Sequence, residues 1–311
     1  MIEKTEYGMP SSNGQDTVHI IEWKPEGDVR GILQISHGMI EYIDRYDRFA
    51  RFMADKGFVV IGNDHLGHGE TAADKNFGYF APKDGSYYVV RDLHRVSRYI
   101  RKKYPEAPFF LMGHSMGSFM ARRYAMMYGN ELDGLILMGS GSKPQWLLNI
   151  GKALVNLLSR CKGERSHSRI LDKISFAMYN SHFAPVRTSS DWLTRDVDEV
   201  DKYRKHKYCQ FTFTLNGYRT LFEGISYIQE KRHIHKIPRE LPILFMSGEE
   251  DPVGNYGKGV KAVASSYRRA GVKDVTCILY PEARHELLNE LEYEKTQEDM
   301  WEWIRRHGGG I

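Results

Sequence analysis

The 311-residue chain is 41% hydrophobic and 27% charged, a balance that suits a globular protein with a full core and excludes dominant disorder. Its apolar runs, such as 58–61 and 109–112, are a few residues long against the ~20 of a crossing helix, so no transmembrane segment is expected. A net charge of +4 is too mild to announce a nucleic-acid partner.

Short apolar runs alternate with segments of helical period. Residues 31–36 (GILQIS) open the series, and Ile43, Tyr46, Phe49, Ala50 and Met53 then recur at helical spacing until Gly57. A second run covers 58–63 (FVVIGN), followed by a helix carrying Val89, Leu93, Val96 and Ile100 before Tyr104-Pro105. Runs at 109–113 (FFLMG) and 135–139 (LILMG) flank a helix with Phe119, Met120 and Met127. Unalternating apolar runs of this length suit strands buried on both faces of a parallel sheet, and steps of three and four put one helix face against it.

The alternation breaks from 142 to 238. Leu147, Ile150, Leu154 and Leu157 share one helical face there, and 216–230 reads as another helix. The bland reading of the four is burial against neighbouring helices. The pattern resumes with 243–246, a helix bearing Val260, Val263 and Tyr267 closed by Gly271, a strand at 275–280 and a last helix at 286–306. Strands alternating with helices predict a doubly wound, mostly parallel α/β sheet. We therefore expect a core of 1–141 and 239–311, with 142–238 as an inserted helical cap. An insertion of ~100 residues far exceeds the usual connection and suits a lid over a site.

Charge divides the chain in the same way. Between Lys143 and Glu240 there are 18 Lys/Arg against 10 Asp/Glu, which leaves the flanks net acidic. The cations cluster at Lys202, Arg204, Lys205 and Lys207, and again at Lys231, Arg232, Lys236 and Arg239. They are either a solvated face or a means of drawing the cap to anionic lipid surfaces. Cys161, Cys209 and Cys277 are an odd, scattered set without CxxC spacing, so neither a disulfide framework nor zinc is expected. Residues 1–16 hold no apolar stretch fit for a secretory signal, and a cytoplasmic protein is expected.

The chemistry falls where a strand turns into a helix. The apolar run at 109–113 leads into Gly113-His114-Ser115-Met116-Gly117 and then a helix. A serine in that G-x-S-x-G setting occupies a sharp turn with its hydroxyl exposed at a helix N-terminus, and the glycines relieve crowding. Its hydroxyl needs a base, and the base an orienting carboxylate, in the chain order Ser, Asp or Glu, His. Asp251 follows the strand at 243–246 and is favoured because Pro252 fixes the next turn; Glu249 and Glu250 remain substitutes. His285 stands in the loop before the last helix and is the base expected. Backbone N–H groups of Met116 and Met39 are the expected oxyanion donors, Gly38 letting that loop approach.

His37-Gly38-Met39-Ile40-Glu41-Tyr42, Arg45-Tyr46, Asp64-His65-Leu66-Gly67-His68-Gly69, Gly113-His114-Ser115-Met116-Gly117 and Gly248-Glu249-Glu250-Asp251-Pro252-Val253 resemble the monoacylglycerol lipase and lysophospholipase branch of the α/β-hydrolase superfamily. The resemblance covers roughly 15–140 and 240–307, and more loosely the cap around Ser190-Asp191-Trp192-Leu193. It implies an α/β-hydrolase fold, Ser115 as nucleophile, Asp251 as acid, His285 as base, Met39 and Met116 as oxyanion donors, and no cofactor or metal. Two positions depart from the family pattern: Ile40 and Ser118 stand where members commonly carry glycine, and the first is expected to alter the oxyanion loop or narrow the pocket.

Other clusters read more plainly. Asp64, His65 and His68 imitate a metal set but lack a second cluster at matching spacing. His233-x-His235 reads as surface, the methionines as core filler with Met116 bordering the pocket, and Trp146, Trp192, Phe211 and Phe213 as cap core. The expected activity is a serine esterase acting on monoacylglycerols or lysophospholipids, small amphiphilic esters. A short-chain or aryl carboxylesterase, or an aminopeptidase for small peptides, would use the same machinery. A halide-removing hydrolase would need a carboxylate in place of Ser115, and a non-catalytic ligand binder would have lost a triad member.

Overall fold

In the computed structural model, which describes residues 2–72, 76–176 and 179–309, eight strands form one sheet in the order β1-β2-β4-β3-β5-β6-β7-β8. The strands are β1 (Glu3–Pro10), β2 (Thr17–Lys24), β3 (Gly31–Ser36), β4 (Phe58–Asn63), β5 (Phe109–His114), β6 (Gly134–Met138), β7 (Ile243–Gly248) and β8 (Val275–Tyr280). Pairing is parallel from β4 through β8, while β2 runs antiparallel to both β1 and β4. This is the α/β-hydrolase fold.

Six strands stand where the apolar runs predicted them. β3, β4, β5 and β7 are buried along their whole length, which is why their sequences show no polar alternation. Neighbouring residues serve opposite faces. Ile32, Val59, Ile61, Leu111 and Leu135 join one core cluster, and Leu33, Ile35, Val60, Phe110 and Met112 the other.

The helices are α1 (Asp47–Asp55), α2 (Gly69–Ala72), α3 (Gly85–Lys103), α4 (Met116–Tyr128), α5 (Gln145–Lys162), α6 (Arg169–Phe176), α7 (Val197–Lys205), α8 (Leu215–Gln229), α9 (Lys231–Ile234), α10 (Lys258–Arg269) and α11 (Tyr293–His307). The first cluster takes in Val89 and Leu93 of α3, Met120 of α4 and Val260 of α10; the second takes in Phe49 of α1 and Trp303 of α11. Gly57 and Gly271, which end α1 and α10, sit at φ 91° and 99°, where an L side chain would be strained. No helix among the described residues is long and apolar enough to cross a membrane.

Two sequence expectations are corrected, and one stretch without an expectation proves structured. Residues 3–24 form a hairpin, although the polar start of the chain gave no strand signal. The last helix begins at Tyr293 rather than 286, because Leu287–Asn289 is a separate 3-10 turn. Finally, α5 is helical as expected, but Leu147, Ile150 and Leu157 are exposed, so the shared apolar face is not simply cap core.

The parallel register brings the carboxyl ends of the strands to one edge. Ser36 of β3 pairs with Gly113 of β5, and Gly248 of β7 pairs with Tyr280 of β8. Between β6 and β7 the chain leaves the sheet for α5 to α9, above the same edge.

Candidate active site

Ser115 is the single residue between β5 and α4, at φ 52° and ψ −120°. A serine at positive φ is a strained backbone, the elbow geometry that lifts a hydroxyl above the sheet. The flanking glycines are required by space. A Cβ on Gly117 would lie 1.9 Å from the carbonyl oxygen of Ser36, and one on Gly113 would lie 2.4 Å from the Gly117 carbonyl oxygen.

His285 and Asp251 meet behind the serine. His285 Nδ1 is 2.9 Å from Asp251 Oδ1, and both side chains are buried. The Val253 N–H donates to the same carboxylate at 2.8 Å, and the Ser247 hydroxyl donates to Oδ2 at 3.3 Å. Burial alone would raise the Asp251 carboxyl. The His285 ring, with N–H groups of Val253 and Gly254, reverses this and holds it below the usual carboxylate range. Glu249 and Glu250 are exposed, and it is Asp251 whose carboxylate meets His285 Nδ1.

The loop after β3 completes this edge. A Cβ on Gly38 would lie 2.5 Å from Glu41 Oε1 and 3.1 Å from Ser115 Cβ, so glycine alone lets the loop come this close. Met39 and Met116 line the same cavity as Ser115 and His285. Met116 is the first residue of α4, whose leading N–H groups have no partner within the helix. Ile40 lies at φ 58°, a left-handed backbone rare for a β-branched residue. It is the position at which the sequence resemblance implies glycine.

A buried ionic network supports these parts, and the sequence reading did not anticipate it. The Glu41 carboxylate accepts the Gly38 N–H and the Tyr46 hydroxyl, and its Oε1 lies 3.0 Å from His114 Nδ1. Arg45 donates to Glu41 at 2.8 Å and to both oxygens of Glu286 at 2.8 Å. Burial would raise the Glu41 carboxyl, but His114 and Arg45 keep it ionised well below its ordinary range. Burial would lower His114, but Glu41 raises it above the ordinary histidine value. Glu41 and Arg45 stood in quoted motifs; only their meeting with Glu286 was invisible.

The cavity over Ser115 measures about 550 Å³. Its wall is mainly apolar, with Leu148, Leu154, Phe119, Phe222 and Ile225 among its residues. Trp192 and Phe211, read from sequence as cap core, line it too. The Trp192 ring centre is 4.9 Å from that of His285. Phe213 is buried core and Trp146 is 65% exposed.

The cluster at 64–68 is occupied internally. Asp64 accepts the N–H groups of Ile43 and Glu70 and contacts His19 at 2.9 Å. The rings of His65 and His68 pack tilted against His37. Among the described residues no group of three or more His, Cys, Asp or Glu is placed to hold a metal ion.

The chain is similar to several known proteins. The family described as serine aminopeptidase, S33, matches residues 27–292. A thermostable carboxyl esterase from Bacillus coagulans, solved with glycerol, superposes with a TM-score of 0.90 at 31% identity, over 98% of this chain and 99% of that one. Monoglyceride lipase of Rattus norvegicus is 28% identical over 271 residues, 86% of this chain and 80% of that protein. Monoacylglycerol lipase of Mycolicibacterium smegmatis is 24% identical over 98% of both chains. The chain thus belongs to the serine aminopeptidase S33 family, within the monoacylglycerol-lipase-like α/β-hydrolases, and is a carboxylic ester hydrolase.

Proposed function

We propose that the protein hydrolyses esters of monoacyl lipids, monoacylglycerols or lysophospholipids, through an acyl-enzyme on Ser115. Ser115 Oγ attacks the ester carbonyl while His285 Nε2 takes its proton. The alkoxide of the tetrahedral intermediate accepts the N–H groups of Met39 and Met116. Its collapse expels the alcohol, which leaves with the proton held by His285. Water then repeats the cycle on the acyl-enzyme and releases the fatty acid. Asp251 holds the ring by Nδ1 and stabilises the imidazolium.

The observation that carries this reading is the apolar cavity of about 550 Å³ joined to Ser115 and His285. It suits one acyl chain, each buried methylene contributing about 0.8 kcal/mol. The monoglyceride lipases among the relatives support the same substrate class. A peptidase acting at N-termini would need a free carboxylate for the substrate's ammonium. Glu41 and Glu286 are both held by Arg45, and Asp172 accepts the Tyr218 hydroxyl. The ester reading is therefore favoured. It extends to a cytoplasmic enzyme working at anionic lipid surfaces, with the exposed Trp146, Leu147 and Ile150 beside the cavity meeting the lipid.

The test is a hydrolysis panel combined with fluorophosphonate labelling. Wild type labels, Ser115→Ala neither labels nor turns over, and kcat/KM climbs from acetyl to medium or long monoacyl esters and drops for triacylglycerols. A profile that peaks at acetate refutes the lipid substrate and leaves a small-ester hydrolase. Labelling that survives Ser115→Ala refutes the mechanism.

A further inference from the structure

The wall of the cavity holds an ammonium that the mechanism does not use. Lys143 lies just past the carboxyl end of β6, and its backbone is fixed from both sides. Its N–H donates to Gln229 Oε1 at 2.8 Å, and its carbonyl accepts from Gln229 Nε2 at 2.9 Å. The side chain lines the cavity, with Nζ 5.6 Å from the centre of the Tyr179 ring. Among the described residues no carboxylate pairs with that ammonium and no acceptor hydrogen-bonds it. Asp251, the carboxylate whose field reaches it, already engages His285, Val253 and Ser247. Burial pulls Lys143 below the ordinary lysine value, the expected cost of a half-buried cation without a counter-ion.

Its place in the wall says which half of a substrate it faces. The Tyr179 ring is 4.7 Å from Trp192, and Trp192 is 4.9 Å from His285. Lys143 therefore lies along the wall that continues from the base. The base must reach the leaving oxygen to protonate it, so this wall borders the alcohol half of a bound ester. The acyl chain has the apolar surface of Leu154, Phe222 and Ile225.

We propose that Lys143 selects the headgroup: it binds an anion, phosphate or carboxylate, carried on the alcohol portion of a monoacyl ester. The inference rests on the monoacyl-ester reading for its substrate but not for its site. An anion brought to this ammonium gains a charge-assisted hydrogen bond in a largely apolar wall, and the lysine gains a counter-ion that none of the described residues supplies.

The experiment compares wild type, Lys143→Met and Lys143→Arg on 1-lauroylglycerol, 1-lauroylglycerol 3-phosphate and O-lauroyl lactate. The anionic-to-neutral ratio of kcat/KM is expected to fall at least about tenfold in Lys143→Met, the scale of one lost hydrogen bond to a charged group, mostly through KM. Lys143→Arg is expected to keep most of it. A fall confined to the phosphate ester identifies a phosphorylated headgroup, and one confined to the lactate ester a carboxylate. A second readout needs no lipid turnover: inhibition of p-nitrophenyl butyrate hydrolysis by dodecyl phosphate relative to dodecanol, expected to weaken at least about tenfold in Lys143→Met. If wild type hydrolyses the butyrate but no lauroyl ester, the lipid reading fails while the inhibitor ratio still decides the site. If neither ratio changes in Lys143→Met, Lys143 is not a headgroup residue.

Discussion

Arg45 donates both Nη groups to the carboxylate of Glu286 at 2.8 Å, across 241 positions of chain. Glu286 directly follows His285, and Arg45 also holds Glu41, so one guanidinium joins the loop after β3 to the loop that carries His285. All three side chains are almost fully buried. Removing the cation leaves buried Glu286 without its ionic partner and Glu41 with only His114, Tyr46 and the Gly38 N–H, a loss of about 3–5 kcal/mol for a broken buried pair. Arg45→Met is expected to lower the urea midpoint by a corresponding amount and to reduce turnover even where it remains folded. An unchanged midpoint would show that the network does not hold the site.

The acid role can be separated from its neighbours. Asp251→Asn is expected to reduce kcat by about 10⁴, the scale for removing the orienting acid of a serine triad, while the melting curve stays cooperative. Glu249→Gln and Glu250→Gln, at exposed positions, are expected to retain turnover. Full activity in Asp251→Asn would transfer the role to one of them.

Ile40 is buried and lies at φ 58°. The left-handed backbone costs an L residue roughly 1–2 kcal/mol, and glycine almost nothing. Ile40→Ala and Ile40→Gly lose similar side-chain burial, but only the glycine relieves the backbone. We expect Ile40→Gly to be more stable than Ile40→Ala by about 1 kcal/mol, the reverse of their order in a helix. Thermal denaturation of the two variants side by side measures the difference, and alanine proving the more stable would remove the strain argument.

Histidines set an optimum in the stability profile. Burial, aided by the neighbouring histidines, lowers His37 and His65 and pushes His68 down to about 3. Unfolded, each takes up a proton near pH 6.5 that the native state refuses, so stability falls as pH drops below that value. The slope is up to about 1.4 kcal/mol per pH unit for each group. His114 and His19 are raised by Glu41 and Asp64 against the opposing effect of burial. Their contribution is complete below pH 6.5 and is lost as pH rises through their folded values. The melting temperature is therefore expected to peak near pH 6.5. A profile flat from pH 4.5 to 6.5 would mean that the buried histidines are already protonated in the native state.

Two kinds of surface contact make different predictions for vesicle binding. Trp146→Ser with Ile150→Ser removes exposed apolar area worth about 1.5–3 kcal/mol per side chain, so binding should weaken by at least tenfold at any salt. Lys205→Glu with Lys207→Glu should weaken binding to anionic vesicles more at low salt than at high, because the attraction is screened over a Debye length. Activity on a soluble ester should persist in the lysine variant. Wild-type binding by the lysine variant would make those charges a solvated face.

What the sequence disclosed follows from where each interaction is made. β3 to β7 are buried strands and β8 is partly so, and a continuous apolar run such as FVVIGN has few other uses. β1 lies at the sheet edge with alternately exposed residues, EKTEYGMP, and is held by its pairing with β2, which composition does not record. Ser115, Asp251 and His285 were legible because each sits next to a strand end in a fixed chain order. The Arg45–Glu286 pair, the Trp192–His285 contact and the position of Lys143 join segments far apart in sequence, and no local spacing marks them. The exposed face of α5 was read only as periodicity, which states that a face exists and not what it meets.

The segment 191–195 is fastened to the loop that carries His285. Arg284 donates to the carbonyls of Asp191 and Thr194, the Glu286 N–H donates to the Leu193 carbonyl, the Thr194 hydroxyl donates to the Asn289 carbonyl, and Arg195 bonds Glu290. α5, at the other end of the insertion, instead turns Trp146, Leu147, Ile150 and Leu157 toward solvent. The insertion is thus tied down along two seams: 191–195 on the His285 loop, and α5 on α8, through Gln145 and Lys152 to Ser226 and through buried Leu148 and Val155. The first seam keeps Trp192 against His285 and the second sets the α5 wall of the cavity, so the width of the cavity and the setting of His285 can be tuned by separate mutations.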